Sequence, residues 1–85
     1  MKAIKAETQE KQIKLLEVLE TLGYRWMEGQ APTEYIPWIN SINKEHKYIR
    51  IHESTKKLTT RTWLQPGDIE IPYEQFVQKT KKVIL

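Results

Sequence analysis

The sequence predicts an α+β fold: an N-terminal helix packed on a small antiparallel sheet, with a short C-terminal helix. Three observations carry this reading. Leu15, Val18, Leu19 and Leu22 fall at i, i+3, i+4 and i+7, the template for one buried helical face, and the pattern stops at Gly23. Ile49 and Ile51 alternate with Tyr48, Arg50 and His52, and a Thr-rich run follows a polar turn, as in a β-hairpin. After Pro72, the residues Tyr73, Phe76, Val77, Thr80 and Ile84 return to helical spacing.

Each element has its own chemistry. Lys2 to Ala6 is expected as a short strand. The first helix is expected over about 8–22, with Thr8 as N-cap, Glu10 in the first turn and Gly23 just past the end. Glu10 and Lys14 form a favourable i,i+4 pair on the solvated side. Tyr24 to Met27 reads as a short aromatic strand and Glu28 to Pro32 as a turn. Tyr35 to Ile39 is expected as an extended segment broken by Pro37, which suits an edge strand or bulge. Asn40 to Asn43 is expected as a loop. The hairpin spans 47–64, with its turn at Glu53 to Lys57 and its return strand from Leu58 to Leu64.

The faces of that hairpin follow from cost. Burying Thr59, Arg61 and Trp63 would put an unpaired guanidinium in the core. Leu58, Thr60, Thr62 and Leu64 are therefore expected to share the inward face of Ile49 and Ile51, leaving Trp63 at least partly exposed. Gln65-Pro66-Gly67-Asp68 is a turn, because Pro presets φ and Gly permits positive φ. Ile69 to Ile71 is a short extended piece, and Pro72 suits the first position of the last helix.

The 85 residues make one domain, 1–85, since there is no room for two cores. Such a domain buries only about 60–65% of its unfolded surface, so each large aromatic weighs heavily. No apolar run approaches the roughly 18 residues of a membrane span, and no signal peptide is visible; no membrane partner and a cytoplasmic setting are expected. The absence of cysteine excludes disulfides, Cys-based metal sites and thiol chemistry.

The formal charge is +3, unevenly spread. In residues 7–34, Lys11, Lys14 and Arg25 face Glu7, Glu10, Glu17, Glu20, Glu28 and Glu34, a local charge of −3. In residues 44–63, Lys44, Lys47, Arg50, Lys56, Lys57 and Arg61 face Glu45 and Glu53, a local charge of +4. A solvated surface explains such a pattern, and so does an electropositive hairpin that meets an anionic partner.

Catalysis is disfavoured by the inventory. His46 and His52 are the only histidines, with no Cys beside them, and a metal site needs three or four convergent ligands. The one aspartate, Asp68, lies in a turn, and Ser41 and Ser54 lie in loops without a histidine at supporting spacing. Gly23, Gly29 and Gly67 are too scattered for a phosphate loop. No catalytic residue, cofactor or metal is expected. Trp26, Tyr35 and Trp38 read as core and turn packing. The candidate nucleic-acid-binding residues are Tyr48, Arg50, His52, Lys56, Lys57, Arg61 and Trp63: cations for phosphate, interleaved with rings for base stacking. Against this stands a sheet face covered by the C-terminal helix, with Trp63 packed beneath it.

The run Leu15-Leu16-Glu17-Val18-Leu19-Glu20-Thr21-Leu22-Gly23-Tyr24-Arg25-Trp26, then Gly29 and Pro32-Thr33-Glu34-Tyr35, resembles short uncharacterised proteins of phages and prophages of Gram-positive bacteria. In these a helix ends in Gly-Tyr-x-Trp, a Gly turn follows, and a hairpin with a Lys-rich turn comes later. Lys56-Lys57 occupies that turn here, and Ile71-Pro72-Tyr73-Glu74-Gln75-Phe76 resembles their closing helix. The resemblance implies an accessory phage product that binds a host factor or counters a host defence. The leading expectation is thus a non-catalytic binding protein acting on a host protein in the bacterial cytoplasm. The alternative is a binder of single-stranded nucleic acid or a nucleotide through hairpin 47–63. A monomer, its 35–39 edge covered by a loop, is favoured over a weak dimer.

Overall fold

In the computed structural model, which describes residues 1–40 and 47–84, the first helix α1 runs Gln9–Thr21. Thr8 caps it, extended in backbone, its hydroxyl accepting the Lys11 N–H at 3.1 Å. Gly23 follows the helix at φ 90°, a left-handed conformation that lacks a Cβ clash only for glycine. The chain then turns into the sheet, with the Tyr24 N–H donating to the Leu19 carbonyl at 3.0 Å.

Five strands form one sheet: β1 (Lys2–Lys5), β2 (Arg25–Trp26), β3 (Tyr48–His52), β4 (Lys57–Arg61) and β5 (Ile69–Ile71), in spatial order β2-β4-β3-β1-β5. The sheet is mixed, which corrects the antiparallel expectation. β3 is antiparallel to β1 and β4, but β1–β5 and β2–β4 are parallel. Connectivity is the reason. Helix α1 between β1 and β2, and loop 62–68 between β4 and β5, are crossovers, and a crossover returns the chain in its original direction.

Ile4, Ile49 and Ile71 meet in register, as do Ile51 and Leu58. Leu15, Leu16 and Leu19 of α1 pack on this face, with Leu22 partly buried at its margin. The last helix α3 (Tyr73–Ile84) lies on the same side: Tyr73 and Phe76 pack against the core, and Lys11 of α1 sits 5.4 Å from the Tyr73 ring centroid. The second face of the sheet is therefore not covered by a helix among the described residues.

The segment 35–39 is not an edge strand. A 3₁₀ turn (Pro32–Glu34) leads into a short helix α2 (Pro37–Asn40). Proline's fixed φ fits the first helical position as well as it fits an edge. A distant residue decides: the buried Gln12 side chain accepts the Trp38 N–H at 3.0 Å and donates to the Ala6 carbonyl at 3.4 Å. The sheet edges are instead β2 and β5. Trp26 is buried; its Nε1–H is shared between the Pro32 and Tyr35 carbonyls, both at 3.1 Å, and its ring meets Tyr35 edge-on at 5.8 Å. The Thr33 hydroxyl (2.6 Å) and N–H (3.2 Å) both donate to Glu20, tying this segment to α1. These two bonds hold the Glu20 carboxyl below its ordinary range against its desolvation, with Arg25 adding to the effect.

Smaller differences concern boundaries. Lys57 belongs to β4, and β4 stops at Arg61, so Leu64 is exposed rather than inward. The chain leaves the sheet there to cross toward β5. Pro72 precedes the last helix by one residue and accepts the Phe76 N–H at 3.0 Å. The expectations for loop 41–43, Ser41 and His46 lie outside the described residues.

Candidate nucleic-acid interface

Hairpin pairing places Tyr48 opposite Arg61, Arg50 opposite Thr59, and His52 opposite Lys57. Side chains opposite one another share a face. Ile49, Ile51 and Leu58 point into the core, so all six of these residues belong to the outer face. β1 extends that face, with Lys5 beside Tyr48 and Ala3 beside Arg50.

Loop 62–68 divides the outer face. The Asp68 carboxylate accepts Arg50 Nη2 at 3.1 Å and the Gln65 N–H at 2.9 Å, and the N-terminal ammonium lies 3.9 Å away. The Asp68 side chain is 1% exposed and that of Arg50 15%. Burial pushes the Asp68 carboxyl upward, but the Gln65 hydrogen bond, Arg50 and the N-terminal charge together hold it below its usual range. Gly67 turns at φ 87°, and the Asp68 N–H closes the turn onto the Gln65 carbonyl at 2.9 Å. Under this strap Arg50 is spoken for, and it does not face an external phosphate.

The other half of the face is open. Lys5, Lys47, Tyr48, Thr62 and Trp63 line a cleft of about 290 Å³. Trp63, two residues beyond the end of β4, is 74% exposed, and no helix lies over it among the described residues. Lys5 Nζ sits 5.9 Å from the Tyr48 ring centroid and 3.6 Å from a Glu7 oxygen. Arg61, paired opposite Tyr48, is exposed and donates to the Thr60 carbonyl at 2.8 Å.

The seven sequence-predicted residues thus separate. Tyr48, Arg61 and Trp63 come together at the open end of the hairpin. Lys56, Lys57 and His52 lie at the turn end, about 13 Å away along a five-residue strand at ~3.3 Å per residue. Lys56, at φ 58°, holds its ammonium 4.8 Å from the centroid of the Tyr24 ring. Burial first, and Glu53 second, push the Tyr24 phenol upward. His52 is half-buried, with Nε2 lacking a hydrogen-bond partner among the described residues. The sequence reasoning missed Lys5, counted Lys47 only as charge, and placed Thr62 on the inward face; β4 stops at Arg61, so alternation no longer governs Thr62, which lines the cleft instead. The outward alternation of Lys5 against Ile4 was the available signal, but only the register between β1 and β3 attaches it to Tyr48.

Among its described residues the cleft presents ammonium groups, a phenol, a hydroxyl and an indole, with the Glu7 carboxylate 3.6 Å from the Lys5 ammonium at its side. Ammonium groups attract anions, and indole and phenol rings offer faces to planar groups. No group of three or more His, Asp or Glu side chains among the described residues is placed to hold a metal ion. No described helix is long and apolar enough to cross a membrane. No protein-family model matches this chain, and neither a curated protein nor a solved structure matches it.

Proposed function

We propose that this is a small non-catalytic binding protein and that single-stranded nucleic acid is the ligand of its outer-face cleft. The observation that carries the reading is Trp63. It stands 74% exposed in a cleft that also holds Lys5 and Lys47, with Arg61 opposite Tyr48 nearby. An unstacked ring next to cations is what a base and its phosphate require, and it is tolerant of sequence. A duplex presents its bases edge-on and has no ring face to offer Trp63. Fluorescence anisotropy with labelled single-stranded DNA and RNA at low salt tests this. Binding in the micromolar range, falling steeply as salt is raised, is expected. No binding at concentrations of tens of micromolar, the weak side of ordinary non-specific affinity, removes the reading.

A protein partner is the second reading, and β4 favours it. Among the described residues β2 pairs with Lys57 and Leu58 alone, and Thr59 to Arg61 have no strand partner on that side. Exposed Met27 and half-buried Tyr35 flank this short open edge. For an accessory phage product, the kind of protein the sequence resembles, that partner is a host protein in the bacterial cytoplasm. A largely apolar interface of that sort responds less to salt than phosphate contacts do.

A further inference from the structure

We propose that the cleft between β1, β3 and loop 62–68 takes one nucleoside monophosphate unit. The base lies on Trp63, the phosphate lies between Lys5 and Lys47, and Glu7 competes with that phosphate for Lys5. The inference rests on the nucleic-acid reading and narrows it to one unit and named contacts. Size comes first. At about 290 Å³ the cleft lies at the small end of ligand sites, which run from roughly 300 to 1,000 Å³. One base with its phosphate matches that scale; a stacked run of bases does not.

The two rings have different roles. Lys5 Nζ sits over the Tyr48 ring at 5.9 Å, so that face already holds a cation. Trp63 makes no ring contact with another described aromatic residue, and its indole is 74% exposed. Stacking therefore falls to Trp63, and Tyr48 positions Lys5.

Glu7 supplies the competition. Its carboxylate lies 3.6 Å from Lys5 Nζ, and the two side chains are 55% and 38% exposed. An exposed pair of this kind is weak. A phosphate, with more charge and more acceptor oxygens, displaces the carboxylate from Lys5. Glu7 then becomes a nearby negative charge facing the bound phosphate. Removing that charge improves binding, an effect opposite in sign to every other substitution in the cleft.

The test uses the full chain, a labelled single-stranded oligothymidylate, and unlabelled thymidine 5′-monophosphate, thymidine and inorganic phosphate as competitors. Trp63→Ala is expected to weaken oligonucleotide binding roughly 5- to 150-fold, the range of one lost base stack. Lys5→Gln and Lys47→Gln each flatten the slope of log affinity against log salt by about 0.7. Glu7→Gln tightens binding, and Lys56→Gln at the far end leaves it unchanged. The monophosphate competes better than either thymidine or phosphate alone. Oligonucleotide binding that ignores Trp63→Ala, Glu7→Gln and the monophosphate overturns the one-unit cleft while leaving the single-strand reading in place. A direct titration reads the cleft separately: monophosphate quenches Trp fluorescence in the parent protein but not in Trp63→Phe. That result without oligonucleotide binding supports the cleft and rejects the single strand as its ligand. Failure of both ligands overturns both.

Discussion

Replacing Asp68 by Ala tests how the outer face is built. The substitution removes the acceptor for Arg50 Nη2 at 3.1 Å and for the Gln65 N–H at 2.9 Å. Among the described residues it leaves the guanidinium, 15% exposed, with no counter-ion, and its Nε already lacks a partner there. Breaking a buried ion pair from one side costs about 3–5 kcal/mol. The residual exposure of Arg50 puts this case at the lower end, about 3 kcal/mol. The whole stability of 85 residues is about 4–13 kcal/mol, so the loss is large. With a urea m-value of about 1 kcal/mol/M for so small a domain, the midpoint should drop by roughly 3 M, or the variant should be partly unfolded in buffer. Urea titration followed by circular dichroism and Trp fluorescence measures it.

A pH arm isolates the same carboxylate. Asp68 has a folded pKa below its ordinary value of 3.8, so its contribution is fully present above that value. It is lost as pH falls below about 4 and through the folded pKa. The stability gap between parent and variant should therefore be wide at pH 7 and should narrow as the pH is lowered from 4 toward 2. Other carboxylates titrate in both proteins and largely cancel in the difference. A midpoint shift below about 0.5 M, the effect of an ordinary surface change, would refute the idea that this carboxylate holds loop 62–68 against the sheet.

Other outcomes follow from the same structure. Leu19→Ala, at a fully buried position on α1, should cost about 2–5 kcal/mol, and an unchanged denaturation midpoint would show the helix face misassigned. Thr33→Val removes the 2.6 Å hydroxyl bond to Glu20; it should raise the Glu20 pKa toward its ordinary value, read as the Glu20 carboxyl titration by NMR. Gly67→Ala has open space for its Cβ but must adopt φ 87°, so it should destabilise by about 1 kcal/mol in urea titration. Trp63→Ala should change stability by no more than about 0.5 kcal/mol, because the side chain is largely in water already.

Local features were legible in the sequence, and long-range ones were not. Thr8, the 15–22 spacing and Gly23 define α1 because capping and periodicity act within a few residues. The cost of burying Arg61 assigned the faces of β4 and left Trp63 outside, as observed. The parallel pairings were hidden because Ile4 meets Ile49 and Ile71, far along the chain, and alternation within a strand says nothing about its neighbour. Pro37 was ambiguous for the same reason. Its local rule allows an edge strand or a helix start, and the cap on α2 comes from Gln12. In the candidate site, alternation correctly grouped Tyr48, Arg50, His52 and Arg61 on one face. It could not show that Asp68, read only as a turn residue, would cross that face and neutralise Arg50.

The positive charge of the hairpin is therefore not a stripe. Asp68 neutralises Arg50, and Lys56 is drawn to Tyr24 at the turn. Lys57 stays at the turn end, while at the other end Lys5 from β1 joins Lys47 and Arg61. The two described tryptophans with extreme exposure make the same point in apolar terms. Trp26 is buried and its indole N–H is satisfied twice. Trp63 keeps 74% of its surface in water. A Trp side chain buries about 150–250 Å² when enclosed, worth about 4–6 kcal/mol at ~25 cal/mol/Å², so this exposure leaves roughly 3–5 kcal/mol unused. That is a large sum for a domain of this size. Single exposed apolar residues are common and need no explanation. A tryptophan beside two lysines differs, because the area that folding leaves unused is available to a planar, anionic ligand. The neutral stability expected for Trp63→Ala and the large binding loss expected for the same substitution are two consequences of that one arrangement.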